Sequence, residues 1–353
     1  MRHAVRRPLS RQLQHGGWQL SFDSTPTYLS CPTSQVCFAG GGFIKYLLKT
    51  TDGGSNWTAI PIPQNVPNQI YQSLSCATEK VCVVAGQSKE PGALIWTTEN
   101  GGTSWEQQSL PGSNGNSVGS NGFNVSCSTD RTCMIGSGNT IWSEPYGTFV
   151  WGIVATLTAS NGTVDFVNCD SLRLCFALTN TNMGTESLAT TNDGGSNWTS
   201  SGKKMDGIVD LPPTCDNFGV CTILTATATK VGGTYVYMPN KKSRRTFWVS
   251  SDYGSSWKKM NVPLGGTEFR AGSCSSALIC QFEAHQSWTA GGKTYSSFFS
   301  TKNGGKSWSA VAAPKTKGPY TMACFNDGSC IGLGVGSGAS NSGRGVIPVR
   351  YSH

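Results

Sequence analysis

The fourteen cysteines are the residues of this 353-residue chain with the most chemistry to offer, and their spacing decides which chemistry it is. They fall into seven pairs, Cys31/Cys37, Cys76/Cys82, Cys127/Cys133, Cys169/Cys175, Cys215/Cys221, Cys274/Cys280 and Cys324/Cys330, with five residues inside each pair. Zinc sites use Cys-x₂₋₄-Cys pairs completed by further Cys or His, and only four His are available here. The pattern therefore predicts disulfides, with no metal and no cofactor. Each pair sits in a frame such as SLSCATEKVCVVAG (73–86), an apolar run, a polar turn and a second apolar run. That is a β-hairpin with one Cys on each strand, close enough to bridge across the turn. Seven paired bridges leave no thiol nucleophile. They also argue for a secreted or extracellular protein or one of an oxidising lumen (periplasm or thylakoid lumen), because cytosolic chains rarely keep disulfides.

The remaining reactive side chains assemble into no recognisable catalytic set. Asp165, Asp206, Asp210 and Glu283 are expected on loops, and nothing in their spacing selects an acid–base pair. No glycine-rich loop is followed by Lys-Ser/Thr, so a phosphate cradle is unsupported. No catalytic residue is assigned. Binding residues are easier to nominate. Connecting segments carry thirteen basic residues against seven acidic ones, and the chain as a whole is +8. This points to a basic surface and an anionic protein or glycan partner. The densest cluster, KKSRR, contributes Lys241, Lys242, Arg244 and Arg245, with Arg270, His285 and Trp288 as further contacts. The cluster lacks the interleaved aromatics of a nucleic-acid module, and nucleic acid is not expected as a partner. Asn56, Asn124, Asn161 and Asn197 each open an Asn-x-Ser/Thr sequon and are candidate glycosylation sites. No apolar stretch of eighteen residues exists, so no transmembrane segment is expected. Residues 1–14 form a basic arm with Arg2, Arg6, Arg7 and Arg11 and no acid, a possible contact with a larger assembly.

The elements that must position these residues follow from an internal repeat. The cysteine pairs recur at intervals of 42 to 59 residues, and a second signature follows in most repeats: TTDGGSNW (50–57), TENGGTSW (98–105), TNDGGSNW (191–198), SSDYGSSW (250–257) and TKNGGKSW (301–308). In this Ser/Thr-x-Asp/Asn-x-Gly-x-x-Trp octapeptide, Asp52, Asn100, Asp193, Asp252 or Asn303 hydrogen-bonds turn backbone. Glycine takes the left-handed position, and Trp57, Trp105, Trp198, Trp257 or Trp308 packs back between neighbouring sheets. The third repeat carries a degenerate form, SEPYGTFVW (143–151), aligned on Ser143 and lacking the acid. Charged residues make up only 13% of the chain and glycine 44 positions, a composition of short strands and turns rather than amphipathic helices.

These octapeptides resemble the Asp-box (BNR) repeats of the sialidase-like β-propellers, a superfamily that includes xyloglucanases, sortilin-like receptors and photosystem II assembly factors. The single-propeller assembly and stability factors are nearest in size. The resemblance implies an all-β fold, one seven-bladed β-propeller over residues 15–353, with four antiparallel strands per blade and one Cys-x₅-Cys hairpin disulfide in each. Strand A ends at the first Cys, B begins at the second, C leads into the octapeptide and D follows its Trp. The seventh repeat lacks a D strand at its C-terminal end (GVIPVRY, 345–351, being C), and residues 15–22 are expected to supply it and close the ring. In such a meander the cysteine hairpins and octapeptides share one face. The B–C and D–A connections form the other, where the site is sought, notably at 229–248 and 283–295 and in the D–A loops 61–72, 109–123 and 201–213. The Phe/Tyr-Arg-Ile-Pro motif of sialidases is absent, EFRAG (268–272) being the nearest string. The reading is a non-catalytic binding or scaffold propeller, and the resemblance to assembly factors implies a subunit or assembly factor of a larger, membrane-associated complex such as a photosynthetic one. A secreted glycoside hydrolase and a structural cell-surface or fibril glycoprotein are the alternatives.

Overall fold

The computed structural model describes residues 20–22, 28–41, 46–63, 70–87, 93–113, 122–145, 147–156, 163–169, 174–181, 185–206, 208–215, 221–226, 228–231, 234–237, 245–252, 254, 256–261, 268–274, 279–290, 293–311, 317–325, 329–335 and 344–351, in several strands the backbone alone. Every regular element among them is a strand. In chain order, β1 (Leu20–Phe22) is followed by β2 (Tyr28–Ser30), β3 (Cys37–Gly40), β4 (Tyr46–Thr50) and β5 (Thr58–Pro61), which form the first sheet. The second holds β6 (Ile70–Cys76), β7 (Cys82–Gln87), β8 (Ala93–Thr98) and β9 (Glu106–Gln108), and the third β10 (Asn124–Cys127), β11 (Cys133–Ser137), β12 (Thr140–Glu144) and β13 (Gly152–Thr156). The fourth is β14 (Thr163–Cys169), β15 (Cys175–Thr181), β16 (Thr185–Thr191) and β17 (Thr199–Asp206). The fifth takes β18 (Ile208–Cys215) and β19 (Cys221–Ala226), is interrupted by a separate hairpin of β20 (Ala228–Val231) and β21 (Thr234–Tyr237), then resumes with β22 (Arg245–Ser250) and β23 (Lys258–Asn261). The sixth is β24 (Glu268–Cys274), β25 (Cys280–Ala290), β26 (Lys293–Thr301) and β27 (Ser309–Val311). The last joins β28 (Lys317–Cys324), β29 (Cys330–Val335) and β30 (Arg344–Tyr351) to β1, which pairs antiparallel with β30 through Leu20 and Val346.

Each of these sheets is a four-stranded antiparallel meander, and their first strands lie against one another in sequence. β2 touches β6, β6 touches β10, and the succession runs through β14, β18, β24 and β28 back to β2. The molecule is thus an all-β propeller with four-stranded blades. No helix long and apolar enough to cross a membrane occurs among the described residues.

The hairpins form where the cysteines require them. Cys76 pairs with Cys82, Cys127 with Cys133, Cys169 with Cys175, Cys274 with Cys280 and Cys324 with Cys330 in register, and these five pairs together with Cys31–Cys37 are disulfide-bonded. Cys215 and Cys221 oppose each other in the same register; the side chain of 215 lies outside the described residues. Six bridges are the chemistry of an oxidising compartment.

The core is a set of inter-sheet clusters, and the octapeptide tryptophan of one sheet plugs the joint with the sheet before it. Trp257 packs with Phe176, Leu178 and Leu188 of the fourth sheet and Ile223 and Trp248 of its own, its edge meeting the Phe176 ring at 6.1 Å. Trp308 does the same against Phe247 of the fifth sheet. Trp198 reaches Met134 and Ile141, and Trp57 reaches Leu333 of the closing sheet. The turn backbone follows its Trp onto that neighbour. Gly102 sits at φ +89°, and a Cβ there would stand 2.4 Å from Ile60 Cδ1, so only glycine allows the approach.

A second device joins the sheets and has a sequence signal that the cysteine pattern hides. The residue before the first Cys of a pair is a short polar one in six of seven repeats (Ser30, Ser75, Ser126, Asn168, Thr214, Ser273), and Ala323 in the last. The N–H of Cys76 donates to Ser30 Oγ (2.9 Å), Cys127 to Ser75 (2.9 Å), Cys169 to Ser126 (3.0 Å) and Cys324 to Ser273 (3.0 Å). One rung higher, Val125 N–H reaches Ser73 Oγ and Val167 N–H reaches Asn124 Oδ1. Inner strands of adjacent sheets do not pair backbone to backbone, so side chains satisfy the facing amides instead.

Candidate functional site

The meander sends the cysteine hairpins and the octapeptide turns to one face and the remaining connections to the other. On the turn face the five regular octapeptides share one hydrogen-bond scheme. The Ser/Thr hydroxyl accepts the glycine N–H four residues on, from Gly54, Gly102, Gly195, Gly254 and Gly305 (2.8–3.0 Å). The acid or amide Oδ1 accepts both that hydroxyl and the N–H four residues beyond itself, as in Asp193 with Thr191 (2.8 Å) and Asn197 N (2.8 Å). Donation from the Asn197 side chain and backbone and from Thr191 holds the Asp193 carboxyl below the usual carboxylate range. At Asp52 and Asp252 burial is the largest single influence and pushes upward, but the hydrogen bonds together outweigh it and the net shift is again down. These turns are structural chemistry, a carboxylate or amide folded into its own loop.

The third sheet departs from the scheme, and the departure corrects the alignment on Ser143. Cys37, Cys82, Cys175, Cys221 and Cys280 are in register with Thr50, Thr98, Thr191, Ser250 and Thr301, whereas Cys133 faces Glu144. Glu144 therefore occupies the Ser/Thr position, Trp151 follows seven residues later as in every other repeat, and no residue is inserted. The longer side chain takes over only part of the work of hydroxyl and acid, since the Val150 N–H, counterpart of the amide that the acid accepts elsewhere, goes to the Thr148 hydroxyl (3.4 Å). Glu144 is fully buried and its Oε2 accepts the Phe149 N–H (3.0 Å), while Phe149 itself is left-handed at φ 54°. Burial pushes the carboxyl up to about 7, against the pull of the Phe149, Thr148 and Gly147 amides and of the Arg131 charge. Its Oε1 and the Arg131 Nε have no hydrogen-bond partner, and the Arg131 Nη2 is bound to Glu99 of the second sheet (2.7 Å).

Beside this turn lies a cavity of about 680 Å³, between the third and fourth sheets and on the turn face. It is lined by Thr132, Ser143, Pro145, Val150, Gly152 and Val154 on one side and by Asn192, Asp193, Gly194 and Ser196 of the next octapeptide on the other. Val150 (73% exposed) borders it, while Ile153 (51%) projects from the opposite face of β13, toward Gly112; these two are the large apolar side chains most open to solvent among the described residues. The volume is that of a small-ligand pocket. The signal available in the sequence was the degenerate repeat itself.

The residues nominated for binding fare differently. Lys241, Lys242 and Arg244 lie outside the described residues, and so does Asn161. Arg245 opens β22 opposite Ala226. Arg270, His285 and Trp288 were expected on connections, but they are strand residues. Arg270 stands at a bulge of β24 between Phe269 and Ala271, and His285 pairs with Glu268 and Ser296 inside the long β25–β26 hairpin that takes the place of the 283–295 loop. Asp206 and Asp210 likewise belong to β17 and β18, which replace the expected 201–213 loop, and Asp165 and Glu283 to β14 and β25. The 229–248 excursion contains the hairpin β20–β21. Of the sequon asparagines, Asn56 and Asn197 donate their amides to Asp52 and Asp193, and Asn124 accepts across the sheet joint, so all three side chains have structural work.

No family profile and no curated protein sequence matches the chain. Solved structures do. A YCF48 structure with a bound D1 peptide superimposes with a TM-score of 0.61 at 17% identity over 97% of this chain and 98% of that one. YCF48 from Cyanidioschyzon merolae gives 0.59 at 15% identity over 94% and 97%. The GH74 xyloglucanase from Xanthomonas campestris gives 0.63 at 14% identity, over 90% of this chain but 52% of the enzyme. At these identities the likeness is one of fold, a propeller shared by binding proteins and hydrolases alike.

Proposed function

We propose that the chain is a non-catalytic protein-binding propeller of the Asp-box kind, its sheets read as seven blades closed by β1. The observation that carries this is extent. The YCF48 structures are matched almost end to end in both directions, whereas the chain spans about half of the xyloglucanase. A partner protein for a YCF48 propeller is visible in the D1 peptide of one of those structures, and we carry the role, not the peptide, to this chain. In this reading the partner is engaged on the face opposite the octapeptide turns, through the basic segment of Lys241, Lys242, Arg244 and Arg245, with Arg270, His285 and Trp288 on adjoining strands. The compartment is extracellular or lumenal, and residues 1–14 form an arm that adds contacts within a larger assembly.

The test is affinity capture from the native source with the full chain and with a variant carrying Lys241→Ser, Lys242→Ser, Arg244→Ser and Arg245→Ser. Loss of the captured partner in the variant, and weakening of the wild-type complex as salt rises, are expected. Equal recovery by both proteins would remove this segment from the interface. The second reading, a glycoside hydrolase, rests on the xyloglucanase fold match; turnover of xyloglucan that an acid-to-amide substitution abolishes would establish it instead.

A further inference from the structure

We infer that the cavity between the third and fourth sheets, with the adjoining edge of β13, is a second binding site, for an extended partner segment that presents an aliphatic side chain next to a basic one. It lies on the octapeptide face, opposite the basic face invoked above, and stands independently of that reading. Outer strands are ordinarily defended against pairing by charge, proline or shortness. Here β9 carries Glu106, β17 carries Lys203 and Lys204, β23 carries Lys258 and Lys259, β5 ends on Pro61, and β1 and β27 have three residues each. β13 has five residues, GIVAT, with neither charge nor proline. A bulge at Val154 interrupts its pairing with β12, and the strand's first residue, Gly152, with Val154 and the preceding Val150, borders the cavity. Space above Gly152 is open, since a Cβ built there meets nothing within 4 Å.

The chemistry of the occupant follows from the walls. Val150, Val154 and Pro145 offer apolar contact in the cavity, and Ile153 stands half-exposed on the other face of the same strand, where a segment added to the β13 edge would also meet it. The charged residue lining the cavity is Asp193, and Asp130 accepts the N–H of the lining residue Thr132 (3.2 Å), so the local field is negative. Arg131 does not offset it, being paired with Glu99. An aliphatic side chain seated in the cavity with Lys or Arg alongside satisfies both features, backbone bonds to the strand edge supplying affinity and the pocket supplying selectivity. A second copy of this chain is disfavoured by its net charge of +8, which makes copies repel.

The experiment measures fluorescence anisotropy of a labelled, end-blocked peptide, Thr-Val-Lys-Leu-Lys-Val-Thr, on the full chain. Its controls are the same peptide with Glu for Lys and the same peptide N-methylated at alternate amides. The protein variant is Val150→Ser with Ile153→Ser, two exposed positions whose replacement should leave the Tm nearly unchanged. Saturable binding is expected, weakened about tenfold or more by each peptide control and by the double variant (about 1.4 kcal/mol). Three results overturn the proposal: no binding of the Lys peptide at millimolar concentration, equal binding of the Lys and Glu peptides, or unchanged binding to the double variant. Sedimentation of the chain alone supplies the last arm, because self-association abolished by the double variant, without peptide binding, would assign the patch to a second copy and overturn it as well.

Discussion

The fourth repeat and the third sit side by side and solve the same turn with opposite electrostatics. In the fourth, Thr191 and Asp193 share the labour, the carboxylate lies half-exposed at the surface, and its hydrogen bonds hold it ionised. In the third, a buried carboxyl at Glu144 accepts the Phe149 amide while the Thr148 hydroxyl accepts that of Val150, and burial lifts the carboxyl to about 7. Both turns deliver a tryptophan, Trp198 or Trp151, to a joint between sheets. The difference teaches that the repeat is selected for where it puts the indole, and that the polar half of the motif can be rebuilt provided its backbone amides are still met.

If the indole is the shared purpose, removing it should cost alike in a regular and a degenerate repeat. Trp257→Ala and Trp151→Ala each empty a site that is about 95% buried, and the expected loss is about 3–5 kcal/mol for either. Equilibrium denaturation with disulfides intact measures this. A Trp151 variant losing under 1 kcal/mol would show that the third joint does not rely on its tryptophan and would break the comparison.

The sharpest contrast is in pH dependence. For Glu144 the folded carboxyl titrates at about 7 and the unfolded one at the usual 4.5. The folded state thus holds more protons between those values, and stability falls as pH rises from about 4.5 to 7, then levels off. The full interval corresponds to about 3 kcal/mol as an upper bound. Glu144→Gln keeps an oxygen for the Phe149 amide and removes the charge. It should match wild type below pH 4.5 and gain stability progressively up to pH 8, visible as a rising Tm difference. A difference independent of pH would mean that the carboxyl titrates normally.

Most of the architecture was legible in the sequence because it is written in covalent and turn chemistry. The Cys-x₅-Cys spacing fixed hairpins, the octapeptides marked the C–D turns, and strands B, C and D begin or end where those signals place them. What was not legible depends on register and neighbours. Glu144 reads as a surface acid until Cys133 is seen opposite it, and the short polar residue before most first cysteines reads as an ordinary strand residue until the next sheet's amide is in view. The 283–295 stretch was read as a loop from its Gly-Gly and polar residues, yet two long strands can pair outside the core wherever their backbone groups meet each other. The unguarded edge at β13 needed burial values, since Val150 and Ile153 within the near-continuous apolar run Phe149–Ala155 signal nothing by themselves.

The smallest effect expected is also the one that tests how the regular turns work. Asn100 and Asn303 fill the acid position in the second and sixth sheets and accept the same bonds as Asp, the Ser104 and Ser307 amides lying 2.9 Å from their Oδ1 atoms. Their Nδ2 then donates to the Ser104 or Ser307 hydroxyl, whereas in the fourth sheet the donor is Asn197 and the carboxylate must accept. Asp193→Asn therefore preserves the Oδ1 bonds but sets two NH₂ groups against each other at one contact. At pH 7 the cost should be small, that of a single solvent-accessible hydrogen bond. Asp193→Asn with Asn197→Ser recreates the arrangement of the second and sixth sheets and should recover that loss. The sign with pH follows from the depressed carboxyl: wild type loses this contribution as pH falls through the folded value of Asp193, so the variants and wild type should converge in acid. If the single variant loses several kcal/mol and the double does not recover it, the charge of Asp193, rather than its hydrogen bonds, sustains the turn.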